Sequence, residues 1–295
     1  MEQQNVCPYI SSHSCKRIKR QNIINMETTV NINKERPLWK WALVFIASFI
    51  LGVIGYVLLQ SLALNGAAPW LIVIATAALI GLYALGVKLL EKHWPRDLGM
   101  GKLLPHTALG MVIGFVYMTL VVSTIVAVGC ASIGYNDFAW KDILQAFLLF
   151  LTVGVGEEII FRGIIFRQID ERWNTWAALI VSALLFGIIH IPNQGATWWS
   201  SLAIAIEAGL MLGIAYKWSG TLWLPIGIHW AWNFAQGNIY GAAVSGTEAG
   251  GSVLEINAYG PDIITGGVFG PEASIVAVIF GLLITIFFFF NRHRP

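Results

Sequence analysis

Six ionisable side chains and one carboxamide stand within stretches that are otherwise apolar: Glu157, Glu158, Arg162, His190, Glu207, His229 and Asn233. An ionisable group in a hydrocarbon layer costs about 2.5 to 3.5 kcal/mol on insertion scales, so each is a candidate functional residue. In "GVGEEIIFRG", Glu158 and Arg162 are four apart on one helical face, acid before base, and can neutralise each other. Glu157 is turned about 100° away from its neighbour by the helical period and is left without a local partner. A free carboxylate beside a neutral imidazole is a general base for water. His229 and Asn233, in "HWAWN", are again four apart, and an imidazole and a carboxamide on one face offer donors to a developing oxyanion. Such a set suits hydrolysis of a carbonyl compound by activated water. No Ser or Cys beside a base points to an acyl-enzyme.

These residues need elements that bring them together inside a membrane. Of 295 residues, 57% are hydrophobic and only 12% charged, and the mean hydropathy is +0.69, far from the soluble balance. The chain reads as an integral membrane protein. A net charge of +2 without zinc-finger or RNA-binding patterns gives no sign of nucleic acid as a partner. Cys7, Cys15 and Cys130 form neither a disulfide framework nor a CxxC pair and read as free thiols.

Apolar stretches of spanning length fall near 41–63, 70–87, 107–133, 143–166, 175–191, 198–216, 221–240 and 273–290. The expected fold is an all-α polytopic membrane bundle of about eight transmembrane helices. Lys and Arg gather in the N-terminal tail, at 88–102, at 167–172, at Lys217 and in Arg292 and Arg294, whereas 64–69, 192–197 and 241–272 have none. Only 134–142 breaks the alternation, with Lys141 against Asp137 and Asp142. Basic connections stay on the cytoplasmic side, so both termini are expected there. The organisation reads as a disordered cytoplasmic tail over 1–38, N-terminal spans over 39–134, a core over 135–240, a Gly-rich external connection over 241–272 and a last span with a basic tail over 273–295. The tail lacks the order of a signal peptide, and Met26 opens a segment that could start the protein by itself. Trp39, Trp41, Trp70, Trp94, Trp140, Trp198 and Trp199 lie mostly at span ends, as interfacial anchors do.

Chain arithmetic then tests whether the polar groups can meet. Glu157 and His190 are 33 positions apart, with their midpoint between Trp173 and Asn174 in the polar turn "ERWNTW". Antiparallel helices meeting at that turn put each residue about 25 Å from it, at the same depth. His229 and Asn233 fall about 15 and 21 Å from the "KWSG" turn on the same side, so all four can converge below the membrane surface.

Three motifs in order carry a resemblance: "EEIIFR" (Glu157 to Arg162), "FGIIH" (Phe186 to His190) and "HWAWN" (His229 to Asn233). Over roughly 140–240 the chain resembles the CPBP, or Abi, family of intramembrane proteases, which includes the Ras-converting CAAX endopeptidase. The resemblance implies a membrane endopeptidase in which Glu157 and His190 activate water. It implies that His229 and Asn233 hold the oxyanion while Glu158 and Arg162 support the site. The implied partners are the lipid bilayer and a membrane-associated peptide or protein, either a prenylated CAAX-type substrate or a bacteriocin-like peptide. A bacterial plasma membrane is the expected location. The family name invokes a metalloprotease, yet there is no H-E-x-x-H zinc helix. No cofactor is expected to be required, with zinc on Glu157, His190 and His229 as the alternative.

Taken singly, each group has a plainer use. Glu158 and Arg162 can be a structural pair, His190 beside Pro192 can cap a short span, and His229 with Asn233 can be interhelical hydrogen-bond glue. Independent structural uses give no reason for Glu157 and His190 to share a depth. Phe186 is expected to pack against the imidazole of His190, and Glu207 to have a structural or substrate-channel role. Other classes stay open: an ion-coupled transporter, which predicts repeats not evident here, and a non-catalytic immunity or scaffold protein.

Overall fold

A computed structural model describes residues 36–248 and 250–291. The tail 1–35, with Cys7 and Cys15, and residues 292–295 lie outside them. The sidedness expected from the two basic termini concerns these regions.

The described residues form a helical membrane bundle whose eight long helices fall on the eight apolar stretches. They are α1 (Leu38–Leu64), α2 (Pro69–Leu90), α3 (Leu103–Ala127), α4 (Trp140–Arg172), α5 (Thr175–Ile188), α6 (Trp198–Ser219), α7 (Trp223–Phe234, prolonged by a π-helical turn Ala235–Ile239) and α8 (Ile275–Phe290). By length and composition five helical stretches can cross a membrane, namely α1, α2, Met100–Ala127, α4 and α6. α5 and α8 are shorter apolar helices.

Local signals explain the boundaries. Pro69 opens α2 at its first turn, where a missing N–H costs nothing. The Asn174 side chain accepts from Ala177 N at 2.9 Å and starts α5. Thr197 and Ser200 make a reciprocal capping box at the head of α6. Gly220 ends α6 with φ +65°, a conformation that carries no Cβ penalty for glycine. The stretch expected over 107–133 stops earlier, because α3 ends at Ala127 and residues Ala131–Tyr135 turn into a strand, β1. β1 pairs antiparallel with β2 (Leu254–Ala258) in the register Ala131↔Ala258, Ile133↔Ile256 and Tyr135↔Leu254. The pair is a small addition to an all-α bundle.

The long connection 241–272 is also built rather than featureless. Besides β2 it holds a helical turn, Asp262–Thr265, and buries Ser252, Phe269 and Glu272.

The inner helices are α4, α6 and α7, and the rim is lipid-like. Of the most apolar window of α1 17% is buried, against 72% for α6. α3 and α7 approach closely because Gly110, Gly114 and Gly227 leave room: a Cβ at any of them would collide with the facing backbone, at Leu224, Ile228 and Thr107 respectively. Small residues four apart are the usual means of drawing helices together in lipid, where no hydrophobic force does so. That contact fixes the helix bearing His229 and Asn233. Trp39, Trp70, Trp94, Trp140 and Trp198 are exposed near helix ends, as anchors should be, but Trp41 is buried against Phe45 and Trp173.

Candidate active site

α4 delivers the carboxylates. It runs unbroken from Trp140 to Arg172, with a π-helical stretch Ile159–Phe166 beginning immediately after Glu158. Such widened turns are frequent at functional sites. The expected i,i+4 pair is present: Arg162 Nη1 donates to Glu158 Oε1 at 2.8 Å, both side chains fully buried. Arg162 Nη2 donates to the carbonyls of Ala208 (3.1 Å) and Gly209 (3.2 Å), which belong to a π-helical turn of α6.

Glu158 Oε1 also accepts from His229 Nδ1 on α7, at 3.0 Å. With Nδ1 engaged, the ring presents Nε2 on its other side, 3.9 Å from Glu157 Oε2. The imidazole of His229 is thus held between the two adjacent carboxylates. Glu157 is turned away from Glu158, as the helical period requires. Its partner comes from α1: Tyr56 OH donates to Glu157 Oε1 at 3.1 Å, and Gln60 Nε2 donates to Tyr56 OH at 3.2 Å. Gly156 makes this possible, since a Cβ there would collide with the Tyr56 ring.

His190 stands in the turn just beyond α5 rather than on the helix, with its Nδ1 2.6 Å from the Phe186 carbonyl. A carbonyl only accepts, so Nδ1 carries the proton and Nε2 is the free nitrogen. Phe186 does pack as expected, 5.0 Å from the His190 ring, and it also lies 6.0 Å from His229 with the Arg162 guanidinium 4.8 Å above its face.

Glu157, His190, His229 and Asn233 all line one cavity of about 280 Å3. The four residues reckoned from chain length to converge thus line the same cavity. Glu207 is not part of it. It is fully buried, accepts from Tyr117 OH at 2.7 Å and lies against Gly281 of α8, which fits a structural role. No group of three His, Cys, Asp or Glu side chains that could hold a metal ion occurs among the described residues.

Several residues of the site gave no local signal. Tyr56 and Gln60 come from α1, and Asn193, Val244, Ser245, Thr247 and Glu248 complete the cavity wall. The turn 244–247 is itself fastened. Ser245 N donates to Glu272 Oε1 at 2.5 Å, Asn193 Nδ2 donates to the Ser245 carbonyl at 2.9 Å, and Glu272 also accepts from Gln236. Glu272 lies outside the spans; burial pushes its carboxyl up to about 7 against the hydrogen bonds from Ser245 and Gln236 that lower it. Asn193, three positions after His190, and Gln236, three positions after Asn233, stand close in sequence to a motif.

Residues 139–235 match the family model "Type II CAAX prenyl endopeptidase Rce1-like", a segment that contains Glu157, Glu158, Arg162, Phe186, His190, His229 and Asn233. The "Putative membrane peptidase YdiL" of Bacillus subtilis is 32% identical over 99 residues, 32% of this chain and 38% of that protein. An "Uncharacterized 24.3 kDa protein" of Escherichia coli is 33% identical over 98 residues, 31% of this chain and 44% of that one. "Uncharacterized protein YpbD" of Bacillus subtilis is 25% identical over 92 residues, 31% of this chain and 43% of that one. The matches thus span about two fifths of each relative's length. No solved structure matches the chain. Through residues 139–235 the chain is similar to the CAAX prenyl endopeptidase family, and it is an integral, multi-pass membrane protein.

Proposed function

We propose that the protein is an intramembrane endopeptidase that cleaves a peptide bond of a membrane-associated substrate with water activated by Glu157. The observation that carries this reading is the convergence of Glu157, His190, His229 and Asn233 on one cavity inside the bundle. Tyr56 holds one oxygen of Glu157, leaving the other to take a proton from water. His190, its Nδ1–H spent on the Phe186 carbonyl, offers Nε2 as an acceptor that orients the same water. The hydroxide formed attacks the carbonyl carbon, and the negative charge moves to the carbonyl oxygen. Asn233 and His229 are the donors for that oxygen. With Nδ1–H given to Glu158, His229 donates from Nε2 only when doubly protonated. Collapse of the intermediate breaks the C–N bond, and Glu157 returns the proton to the leaving nitrogen.

The reading requires no metal. In proteoliposomes containing the purified chain, cleavage of membrane-associated peptides is expected to survive exhaustive chelation and to vanish in His190→Ala while the protein still folds. Loss of cleavage on chelation, restored by zinc, would overturn the metal-free mechanism. Undiminished cleavage by His190→Ala would overturn its assignment.

A further inference from the structure

Resting on the proteolytic reading above, we propose that Glu272 is a positioning residue for that reaction: through Ser245 and Asn193 its carboxylate braces the turn that carries His190. Such a brace is needed because α5 ends at Ile188 and the imidazole stands on the turn beyond it. Within that turn the hydrogen bonds are local, from His190 N to the Gly187 carbonyl at 3.2 Å and from Asn193 N to the His190 carbonyl at 3.1 Å. Support from outside comes from the turn 244–247. Asn193 Nδ2 donates to the Ser245 carbonyl at 2.9 Å, and Gly246, at φ +79°, lies so close to Gln194 that a Cβ would collide with its carbonyl oxygen.

Glu272 fixes this supporting turn. Ser245, on the cavity wall, stands at φ +49°, a left-handed conformation that costs a non-glycine residue energy and persists where the surroundings over-determine it. Its N–H goes to Glu272 Oε1 and its carbonyl accepts from Asn193. The other carboxylate oxygen of Glu272 accepts from Gln236 Nε2. Gln236 is itself oriented, since its Oε1 accepts from Trp232 Nε1 at 3.0 Å and its Nε2 also donates to the Ala243 carbonyl at 2.6 Å. Trp232 lies 5.9 Å from the His229 ring on the same helix. One carboxylate thus ties the end of α7, the helix of His229 and Asn233, to the turn that supports His190. Gly270 leaves room for the junction, because a Cβ there would run into the Ala243 carbonyl, Glu272 and Gln236. Two donors arrive from different elements, and a carboxylate offers each its own oxygen, which a carboxamide does not. Neither donor is a cation, and burial pushes the carboxyl from 4.5 up to about 7. A carboxyl raised in this way gives its full stability below 4.5 and loses it as the pH rises through about 7. Above that pH its contribution is geometry, not stability. Glu272 also lies beyond 139–235, the segment that the family model covers.

The test uses the full chain in proteoliposomes above pH 7, with Glu272→Gln, Asn193→Ala, the double variant and, as a control, Glu255→Gln at an exposed position of β2. Cleavage of one membrane-associated peptide, chosen from a randomised pool by the parent protein, gives kcat and KM. Hydrogen exchange read by mass spectrometry gives local protection. In Glu272→Gln kcat is expected to fall about 10- to 100-fold with KM near that of the parent, because a misplaced imidazole orients water poorly without altering substrate contacts. Exchange is expected to quicken at least about tenfold over residues 189–197 and 242–248, and to stay at the parent's rate in α4 and α7. Asn193→Ala should quicken the same two turns, and the double variant should be no worse than the worse single one. Glu255→Gln should match the parent. A kcat in Glu272→Gln equal to the parent's, exchange quickened across the whole bundle, or strictly additive effects of the two substitutions would overturn the proposal, as would a Glu272→Gln chain that does not fold. If the parent cleaves no peptide of the pool, the proteolytic reading fails by itself. The brace then stands if exchange quickens at the two turns alone and falls if it does not.

Discussion

The bundle buries two clusters of ionisable groups, and they are built on opposite rules. Near the α2 end, Arg167 donates to Glu91 at 2.6 and 2.7 Å and to Glu171 at 3.3 Å, and Lys217 pairs with Asp170 at 2.6 Å. Asp97 beside them accepts from Tyr83 OH at 2.7 Å and Tyr216 OH at 3.1 Å. There Arg167 and Lys217 each face a carboxylate in a close pair, while Asp97 is held by two hydroxyls. At the cavity the pairing stops one step short: Glu158 and Arg162 neutralise each other, while Glu157 keeps a hydroxyl donor from Tyr56 and stands 3.9 Å from the His229 ring, with His190 across the cavity keeping a free nitrogen. Burial of charge is thus common to both regions. What the site cavity has and the other cluster lacks is a carboxylate with two imidazoles and a carboxamide on one wall.

That contrast can be broken by substitution. The largest combined effect is expected from Arg162→Met, which strands the buried Glu158 carboxylate and disturbs the acceptor of His229. Removing one partner of a buried pair costs about 3–5 kcal/mol, and cleavage per folded molecule should fall as well, about 10²-fold or more. Arg167→Met should cost a similar stability, about 3–5 kcal/mol, yet leave cleavage per folded molecule near that of the parent. Thermal unfolding in detergent, set beside cleavage rates, checks both; a loss of activity in Arg167→Met at full folding would erase the distinction between the clusters.

Acid sharpens the same comparison. Glu91 lies just past α2, where burial pushes its carboxyl up but the Arg167 guanidinium prevails and holds it at about 2, below its ordinary 4.5. A carboxyl depressed in the fold contributes its full stability above about 4.5 and loses it as the pH falls through 4.5 toward 2. The contribution at stake is on the order of 3 kcal/mol. Midpoints of unfolding should therefore drop over that window in the parent, and the drop should be smaller in Glu91→Gln. The smallest effect is expected from Tyr56→Phe. It removes one donor to Glu157, a hydrogen bond to a charged group worth about 1.5–3 kcal/mol; part is regained from water at the open cavity, so kcat/KM should fall only about tenfold or less.

How much of this was legible in the sequence depends on the range of each contact. Apolar runs marked the helices because every backbone group in lipid must be satisfied within its own segment. Glu158 and Arg162 were legible because four residues is a helical neighbour distance, and the meeting of Glu157 and His190 on one cavity followed from counting about one turn. Tyr56 was not legible: it reaches Glu157 across 101 residues, and nothing in α1 marks its hydroxyl. The hold of Glu272 on Ser245 spans 27 residues of a connection rich in glycine, where periodicity carries no information. The stretch 107–133 read as one span because its residues are apolar throughout, although Gly129, at φ +75°, turns the chain out of the helix toward β1. His190 and His229 were identified as polar groups in apolar runs, but their hydrogen-bond partners, a carbonyl one turn back and a carboxylate 71 residues away, needed coordinates.

The central claim is that Glu157 is the base and carries little of the fold. Cleavage and thermal unfolding of Glu157→Gln, measured on one preparation in proteoliposomes, test it most directly. Cleavage is expected to fall by about 10²-fold or more with a stability change within about 1 kcal/mol. Cleavage at the rate of the parent protein would contradict it.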